Sequence, residues 1–436
     1  MILDIMDFGA VGNGTTNDTF AVRAAMEAAA STEGKTVVRF PSGHIFKTGY
    51  VRVFGKTEIL LEEGSIWKAS DNLDDFLPEG GHFSYTESKV PSFTNSDYNG
   101  GPPLKFIHAL GAEDISFSGT GIIDGNEPIF HGKQYKDHIE GLFYPRAPLL
   151  YIENVRSFSM QDVILQNSAF WTVHLVGCKD VFINKITISN NLSMANCDGI
   201  DPDGCENVTI KDCRITSADD CIVLKNTVAA QKYDSCRNIR ISGCTLESKS
   251  AAIKIGSESE SLFTDIEISN CTVLNSNRAV SLQLRDKGSI ENLYLHDMKI
   301  ETRLYDPENW WGKAEAVAIT ANRRYPSTNV GHIQNIVFER ISAEAENGII
   351  IIGDEEKNNI RDIRFSDCSF HLRKKTAFHT GVIDTRPGVG NRLKTGSPLR
   401  HVTIEHASEI QFENVTFSAD ESMSALLAPD ADKIIG

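Results

Sequence analysis

One phrase recurs along this chain and limits what it can fold into. It runs apolar, any, apolar, two small or polar residues, Cys or apolar, any, apolar. It reads NVTIKDCRI at 207–215, NIRISGCTL at 238–246, DIEISNCTV at 265–273, NLYLHDMKI at 292–300, NIVFERISA at 335–343 and DIRFSDCSF at 362–370. Weaker copies are DISFSGTGI, SFSMQDVIL, DVFINKITI and EIQFENVTF. The first apolar position falls at Val181, Val208, Ile239, Ile266 and Leu293, separated by 27, 31, 27 and 27 residues. A second strand follows each phrase: CIVLK, AAIKIG, AVSLQL, AVAIT and GIIII. Alternation of period two between Asn, Asp, Gly and Ser turns reads as short strands. Units of this length cannot bury an apolar face alone, so they stack.

Helical repeats are excluded, because no window beyond the first thirty residues keeps a 3.6-residue period. A β-propeller would need longer units of four strands. The expected fold is therefore all-β: a single parallel β-helix over 1–436, with an N-terminal cap (1–35), coils with loop insertions (36–420) and a C-terminal tail (421–436). TNDTFAVRAAMEAAAS is the one clear helix, capped from within Thr16 to Asp18 and offering Phe20, Val22, Ala25 and Met26 as its apolar face. It would cover the open end of the stack.

Against uniform coils the long departures stand out: 69–104, EPIFHGKQYKDHIEGLFYPRAP, YDPENWWGKAE, NRRYPSTNVG and TRPGVGNRLKTGSP. Insertions in a repeat protein tend to fall on one face and build its binding wall. Trp310 and Trp311 are the candidates for stacking on a sugar, with Trp311 preferred.

The formal charge is 43 − 59 = −16, which argues against nucleic acid or an anionic membrane as partner. No apolar run reaches the ~20 residues of a membrane span. MILDIMDFGAVGNG lacks the basic and apolar regions of a secretory leader, so the expected location is cytoplasmic, or secreted if a leader has been removed. The nine cysteines recur within the strand phrase and read as small buried hydrophobes. No metal-ligand spacing of Cys and His is present, so neither metal nor cofactor is expected.

Residues 194–224, MANCDGIDPDGCENVTIKDCRITSADDCIVL, hold six aspartates amid Val, Ile and Cys. Asp198 and Asp219 are 21 residues apart, about one coil, and Asp220 adjoins Asp219. Stacked coils advance about 4.8 Å, so the three carboxyls are expected to converge. Crowded acids raise at least one pKa, giving a proton donor beside ionised carboxylates that activate water. Donor and base across a glycosidic bond are the minimum for glycoside hydrolysis. A calcium or turn cluster is the structural alternative. Asp201 and Asp203 in GIDPDG, and Asp212 and Asp367, read as turn residues. His174, 24 residues before Asp198, is expected one coil below it, bonding sugar or orienting Asp198.

These motifs resemble glycoside hydrolase family 28, the polygalacturonase and rhamnogalacturonan hydrolase group. Asn196-Cys197-Asp198 and Asp219-Asp220-Cys221 match its hallmark Asn-x-Asp and Asp-Asp-Cys. DFGAVGNGTTNDTFAVRAA looks like the cap shared by pectin-active β-helices. GTGIIDGN, LQNSAFWTVHLVGCKDV and WWG look like the family's bacterial branch. The resemblance implies a right-handed helix, no metal and hydrolysis with inversion. It makes Asp219 the general acid and assigns Asp198 and Asp220 to the attacking water. Two departures bear on substrate. Ala251 stands where the family's histidine is expected, and Ser281-Leu282-Gln283 where its Arg-Ile-Lys grips a carboxylate. That disfavours plain polygalacturonan and favours a rhamnogalacturonan-type or other substituted pectic oligosaccharide. Compensating cations are sought in Lys225, Lys254 and Arg285, then Arg323, Arg324, Arg386 and Arg392; Asn196 and Glu258 complete the substrate-binding candidates. The competing functions are a polysaccharide lyase and a non-catalytic carbohydrate-binding β-helix. The sequence leaves the oligomeric state open.

Overall fold

The computed structural model describes residues 1–86, 101–233, 235–305, 310–389 and 392–429. Parts of three expected insertions (87–100, 306–309 and 390–391) and of the tail (430–436) lie outside the described residues. The chain divides into two compact units. The N-terminal unit comprises 1–86, 101–218 and 232–233; the C-terminal unit comprises 219–231, 235–305, 310–389 and 392–429.

Both units are stacks of parallel coils, the parallel β-helix expected from the repeat, right-handed as the family resemblance implied. Copies of the phrase lie over one another in register. Phe158 pairs with Val181 and Val181 with Val208 in the N-terminal unit. Ile239, Ile266, Leu293, Ile336, Ile363 and Ile410 form one column in the C-terminal unit. Each fully buried Val or Ile contributes about 1.5–3 kcal/mol, and an apolar side chain one coil on gives it a neighbour.

The polar residues of the phrase set the corners. The residue opening each copy sits at positive φ: Asp180, Asn207, Asn238, Asp265, Asn292, Asn335 and Asp362, all at 54–58°. A second corner repeats the pattern at Asp212, Asn270, Asp297 and Asp367. The left-handed region costs most residues roughly 1–2 kcal/mol, whereas Asn and Asp offset this with local hydrogen bonds. Asp212 and Asp367 thus hold the turn slots assigned to them. Cys213, Cys244, Cys271 and Cys368 fill the next position inward, and all nine cysteines are buried. Cys213, Cys244, Cys271 and Cys368 each donate Sγ–H to the carbonyl two residues back at 3.1–3.4 Å.

The helix α1 (Thr19–Ala30) packs Ala21, Val22, Ala25, Met26 and Ala29 inward. Two details depart from expectation. Phe20 is 83% exposed, because it falls on the opposite face from Val22 and Met26. Asp18 is the N-cap residue, but its carboxylate accepts from the amides of Val11 and Gly12 (2.7 and 3.1 Å) instead of capping the helix.

The sheet carrying the candidate site is described unit by unit. In the N-terminal unit its strands are β1 (Val51–Arg52), β2 (Ile107–Leu110), β3 (Leu150–Glu153), β4 (Val173–Val176) and β5 (Ile200–Asp203). Ile107, Leu150, Val173 and Ile200 point into the core in one column, while Arg52, His108, Tyr151, His174 and Asp201 form the adjacent outward column. In the C-terminal unit the strands are β6 (Ile222–Asn226), β7 (Ala251–Ser259), β8 (Arg278–Leu284), β9 (Glu315–Ala321), β10 (Ile349–Gly353) and β11 (Val402–Glu405). Here Ile222, Ile253, Val280 and Val317 are inward, and Val223, Lys254, Ser281, Ala318 and Ile350 outward.

Candidate active site

In the C-terminal unit Asp219 and Asp220 form the lead-in to β6. The Asp220 amide donates to Asp219 Oδ1 (3.0 Å), which fixes the Asp219 side chain. Asp220 is buried and accepts three hydrogen bonds: from Ser250 Oγ (2.9 Å), from the Ala251 amide (3.1 Å) and from Lys254 Nζ (2.8 Å). Acceptor-only contacts with an ammonium among them are the surroundings of a carboxylate anion. Asp219 remains partly exposed. Burial of its carboxyl, then the Asp220 charge, raises its pKa against the opposing pull of Lys254 and Lys225. The two adjacent acids thus stand in unlike surroundings.

Ion pairs extend outward from this core. Lys225, on β6, meets Glu258, on β7, at 3.2 Å. Burial would raise the Glu258 carboxyl, yet Lys225, Arg324 and Lys254 outweigh it and lower it to about 2. Arg324 grips Asp286 through two nitrogens (2.7 and 2.9 Å) and donates to the Ser257 carbonyl. Arg278 is held by both oxygens of Glu315 (3.0 and 2.8 Å). Arg323 pairs with Asp354 and Glu356, Arg386 with Asp384, and Arg392 with Glu355.

The compensating positive patch expected from sequence is therefore a set of neutralised pairs. Arg285 departs furthest from its expected place on the substrate side. It is fully buried, donating to the carbonyls of Leu284, Thr320, Thr385 and Pro387 and to Thr320 Oγ1. It serves as a buried strut tying the end of β8 to β9 and to Thr385 and Pro387. Burial, with Arg324 and Arg278 nearby, lowers it to about 9. Trp311 is half-buried, and its carbonyl accepts from Asn277 Nδ2 (3.3 Å). Trp310 is the buried one of the pair, with Lys249 Nζ 5.7 Å from its ring centre.

In the N-terminal unit Asp198 precedes β5 and is buried; its carbonyl accepts from the Thr172 amide at 2.8 Å. Asn196 adopts positive φ (56°), and Arg146 Nη2 donates to its Oδ1 at 3.3 Å. Arg146 also donates to the carbonyls of Phe143, Ala169 and Ala195. Asn190 binds the Cys197 carbonyl (3.0 Å) and Thr172 Oγ1 (2.8 Å). Arg146 and Asn190 thus brace the Asn-Cys-Asp segment. Neither was foreseen, because most of their partners are backbone carbonyls, which leave no mark in a sequence.

Two expectations about this segment are corrected. His174 does not lie under Asp198: its register partner is Asp201, and its Nε2 lies 3.3 Å from Asp203 Oδ2. Asp201 and Asp203 are not turn residues but fully buried members of β5. The turn propensity of DPDG yields to pairing with β4. The His174 ring sits edge-on between Tyr151 (5.1 Å) and Trp171 (4.7 Å).

Comparison with known proteins places this geometry in a family. The model for glycosyl hydrolases family 28 matches residues 86–306, just over half of the chain. The chain belongs to glycosyl hydrolases family 28. This family 28 chain is 26% identical over 313 residues to a probable polygalacturonase of Vitis vinifera, a match covering 68% of this chain and 60% of the grape protein. It is 23% identical to a putative rhamnogalacturonase D of Aspergillus niger, over 80% of this chain and 66% of the relative. Among solved structures, an exopolygalacturonase from Thermotoga maritima superposes with a TM-score of 0.71 at 20% identity, covering 96% of this chain and 92% of that one. That likeness bears on the fold.

Proposed function

We propose that this family 28 protein hydrolyses glycosidic bonds of pectic poly- or oligosaccharides with inversion. Asp219 protonates the leaving oxygen, and Asp198 and Asp220 hold and activate the water. The observation that carries this reading is the unlike treatment of two adjacent acids. Burial and the Asp220 charge raise the pKa of Asp219, while Asp220 is wrapped in donors. Donor and base must differ in this way if both are to act at one pH. The family and the polygalacturonase and rhamnogalacturonase names of its relatives support the pectic substrate.

Charge on the Asp219 side supports the finer reading. Lys225, Lys254, Arg278 and Arg324 are each matched by a carboxylate, and the outward neighbours of Lys254 and Gly256 on β8 are Ser281 and Gln283. Such a surface suits an uncharged sugar next to the scissile bond better than a uronate. A rhamnogalacturonan-type or other substituted pectic oligosaccharide is the substrate this favours. Product analysis on a panel of pectic oligosaccharides tests it. New reducing ends without an ultraviolet-absorbing unsaturated product are expected. An absorbing product abolished by chelator would establish a lyase instead.

A further inference from the structure

Residues 382–389, inside the last long connection of the C-terminal unit, cross the outward face of the sheet. On the side where the strands begin, Asn347 Nδ2 donates to the Val382 carbonyl (2.8 Å) and Arg278 Nη2 to that of Asp384 (3.2 Å). On the side where they end, Arg285 donates to the carbonyls of Thr385 (3.0 Å) and Pro387, and the Val389 amide donates to the Arg323 carbonyl (2.8 Å). Asn347 precedes β10 and Arg278 opens β8, whereas Arg285 follows β8 and Arg323 follows β9. The segment is therefore a strap laid from one edge of the sheet to the other. Between its ends Ile383 packs on Ala318, Ile350 and Ile352, which are outward residues of β9 and β10. Ile383 and Asp384 also pair antiparallel with Lys394 and Leu393, which stiffens the cover.

Charge fixes the strap as firmly as packing does. The buried Asp384 carboxylate accepts at Oδ1 from the Arg386 amide (3.1 Å) and Nε (2.9 Å). At Oδ2 it accepts from Arg386 Nη2 (2.8 Å) and the Gly312 amide (3.3 Å), with Lys313 Nζ at 3.7 Å. Burial would raise this carboxyl, yet Arg386, Lys313 and Arg278 outweigh it and lower it to about 2. A buried charge held by so many donors cannot leave without stranding them. The strap is thus a fixed part of the folded unit.

Asp219 and Asp220 lead into β6, and β9 is three coils further on. At about 4.8 Å per coil the strap stands about 14 Å along the stack from the acids. A glycan lying on the outward face can run freely past the acids in one direction, while in the other its path ends at Ile383. We propose that the strap makes this protein act on chain ends, with one terminus of the glycan seated against residues 382–389. The bond that is cleaved then lies a fixed, short distance from that terminus. The inference rests on the pectic reading above for its ligand, and it makes Ile383 and Asp384 determinants of specificity. An internal stretch of a long polymer carries chain on both sides of the bond and is shut out.

Binding of end-labelled hexasaccharides to the Asp219→Asn protein, measured by calorimetry, tests the strap. The probes are hexagalacturonate and the alternating rhamnose–galacturonate hexamer, each unlabelled or carrying a bulky fluorophore at its reducing or its non-reducing end. One of the two labels should weaken binding about tenfold or more by colliding with the strap, and the other should be tolerated. Ile383→Ser/Asp384→Asn removes the apolar seat and the central charge and should restore binding of the excluded form. Arg285→Met, which frees the far end of the strap, should do the same and serves if the first variant folds poorly. Equal affinity for both labelled forms, or an exclusion that survives in the folded variants, overturns the inference and leaves the pectic reading standing. Failure of both unlabelled hexamers to bind overturns the pectic reading and this inference with it. Hydrolysis by the unmutated protein is scored separately: selective binding without cleavage of any pectic oligomer would discard the hydrolase and keep the chain-end seat.

Discussion

Replacing Lys254 by Met tests the most tightly built part of the site. The Lys254 ammonium is 2.8 Å from Asp220 Oδ2, and both side chains are buried. Methionine keeps the volume and removes the charge. Asp220 retains Ser250 Oγ and the Ala251 amide, but it becomes a buried carboxylate with no counter-charge at that oxygen. Removing one partner of a buried pair costs about 3–5 kcal/mol, and the two remaining donors place this case at the lower end, about 3 kcal/mol. Neutralising Asp220 as well, in Lys254→Met/Asp220→Asn, removes the stranded charge. The double variant should recover most of the loss, a coupling energy of about 2–3 kcal/mol. Urea unfolding followed by tryptophan fluorescence reads it, since Trp310 and Trp311 lie in the same unit. Additive single effects, with coupling below about 0.5 kcal/mol, would refute the reasoning and reduce the pair to a solvated contact.

Further outcomes follow from the same geometry. Asp219→Asn should lower kcat by several orders of magnitude and barely move Tm, and the wild-type rate should fall on the alkaline side as Asp219 loses its proton; substantial activity in the variant overturns the acid assignment. Glu258, held at about 2 against an ordinary 4.5, contributes stability that is complete above 4.5 and lost as pH falls towards 2. That is at most about 3 kcal/mol, and Lys225→Met should remove much of this acid-sensitive component in an unfolding series across that window. Arg146→Met strands three backbone carbonyls and should cost about 3 kcal/mol or more, with a fall in kcat/KM beyond the loss of folded protein because the Asn196–Asp198 segment is released.

The coil architecture was legible because each coil solves one steric problem in the same way. Asn or Asp must stand at the left-handed corner that opens each phrase and an aliphatic residue directly after it, so the phrase is written again at every turn. The acids were legible for the same reason, standing at the ends of recognisable strands. Charge was not. Lys225 and Glu258 are 33 residues apart, Asp220 and Lys254 34, Arg278 and Glu315 37, Asp286 and Arg324 38. Each interval is about one coil, so pairing cations with acids one repeat away would have shown the neutralisation in advance. Asp201 and Asp203 were misread because Pro and Gly beside Asp signal a turn locally, and only the neighbouring coil makes the segment a strand.

The left-handed corners also decide where this molecule can vary. The corner inside each phrase is two or three residues long and fixed by backbone conformation, so added length there would break the column above and below. The long connections lie elsewhere: 125–149, 303–314 and 373–401 all run into a strand of the sheet that carries Tyr151, Lys254 and Ser281. Lengthening or exchanging them redraws the rim of that one sheet and leaves the winding untouched. A new glycan preference can thus arise by loop replacement alone, with Asp219 and Asp220 still seated on the same turn.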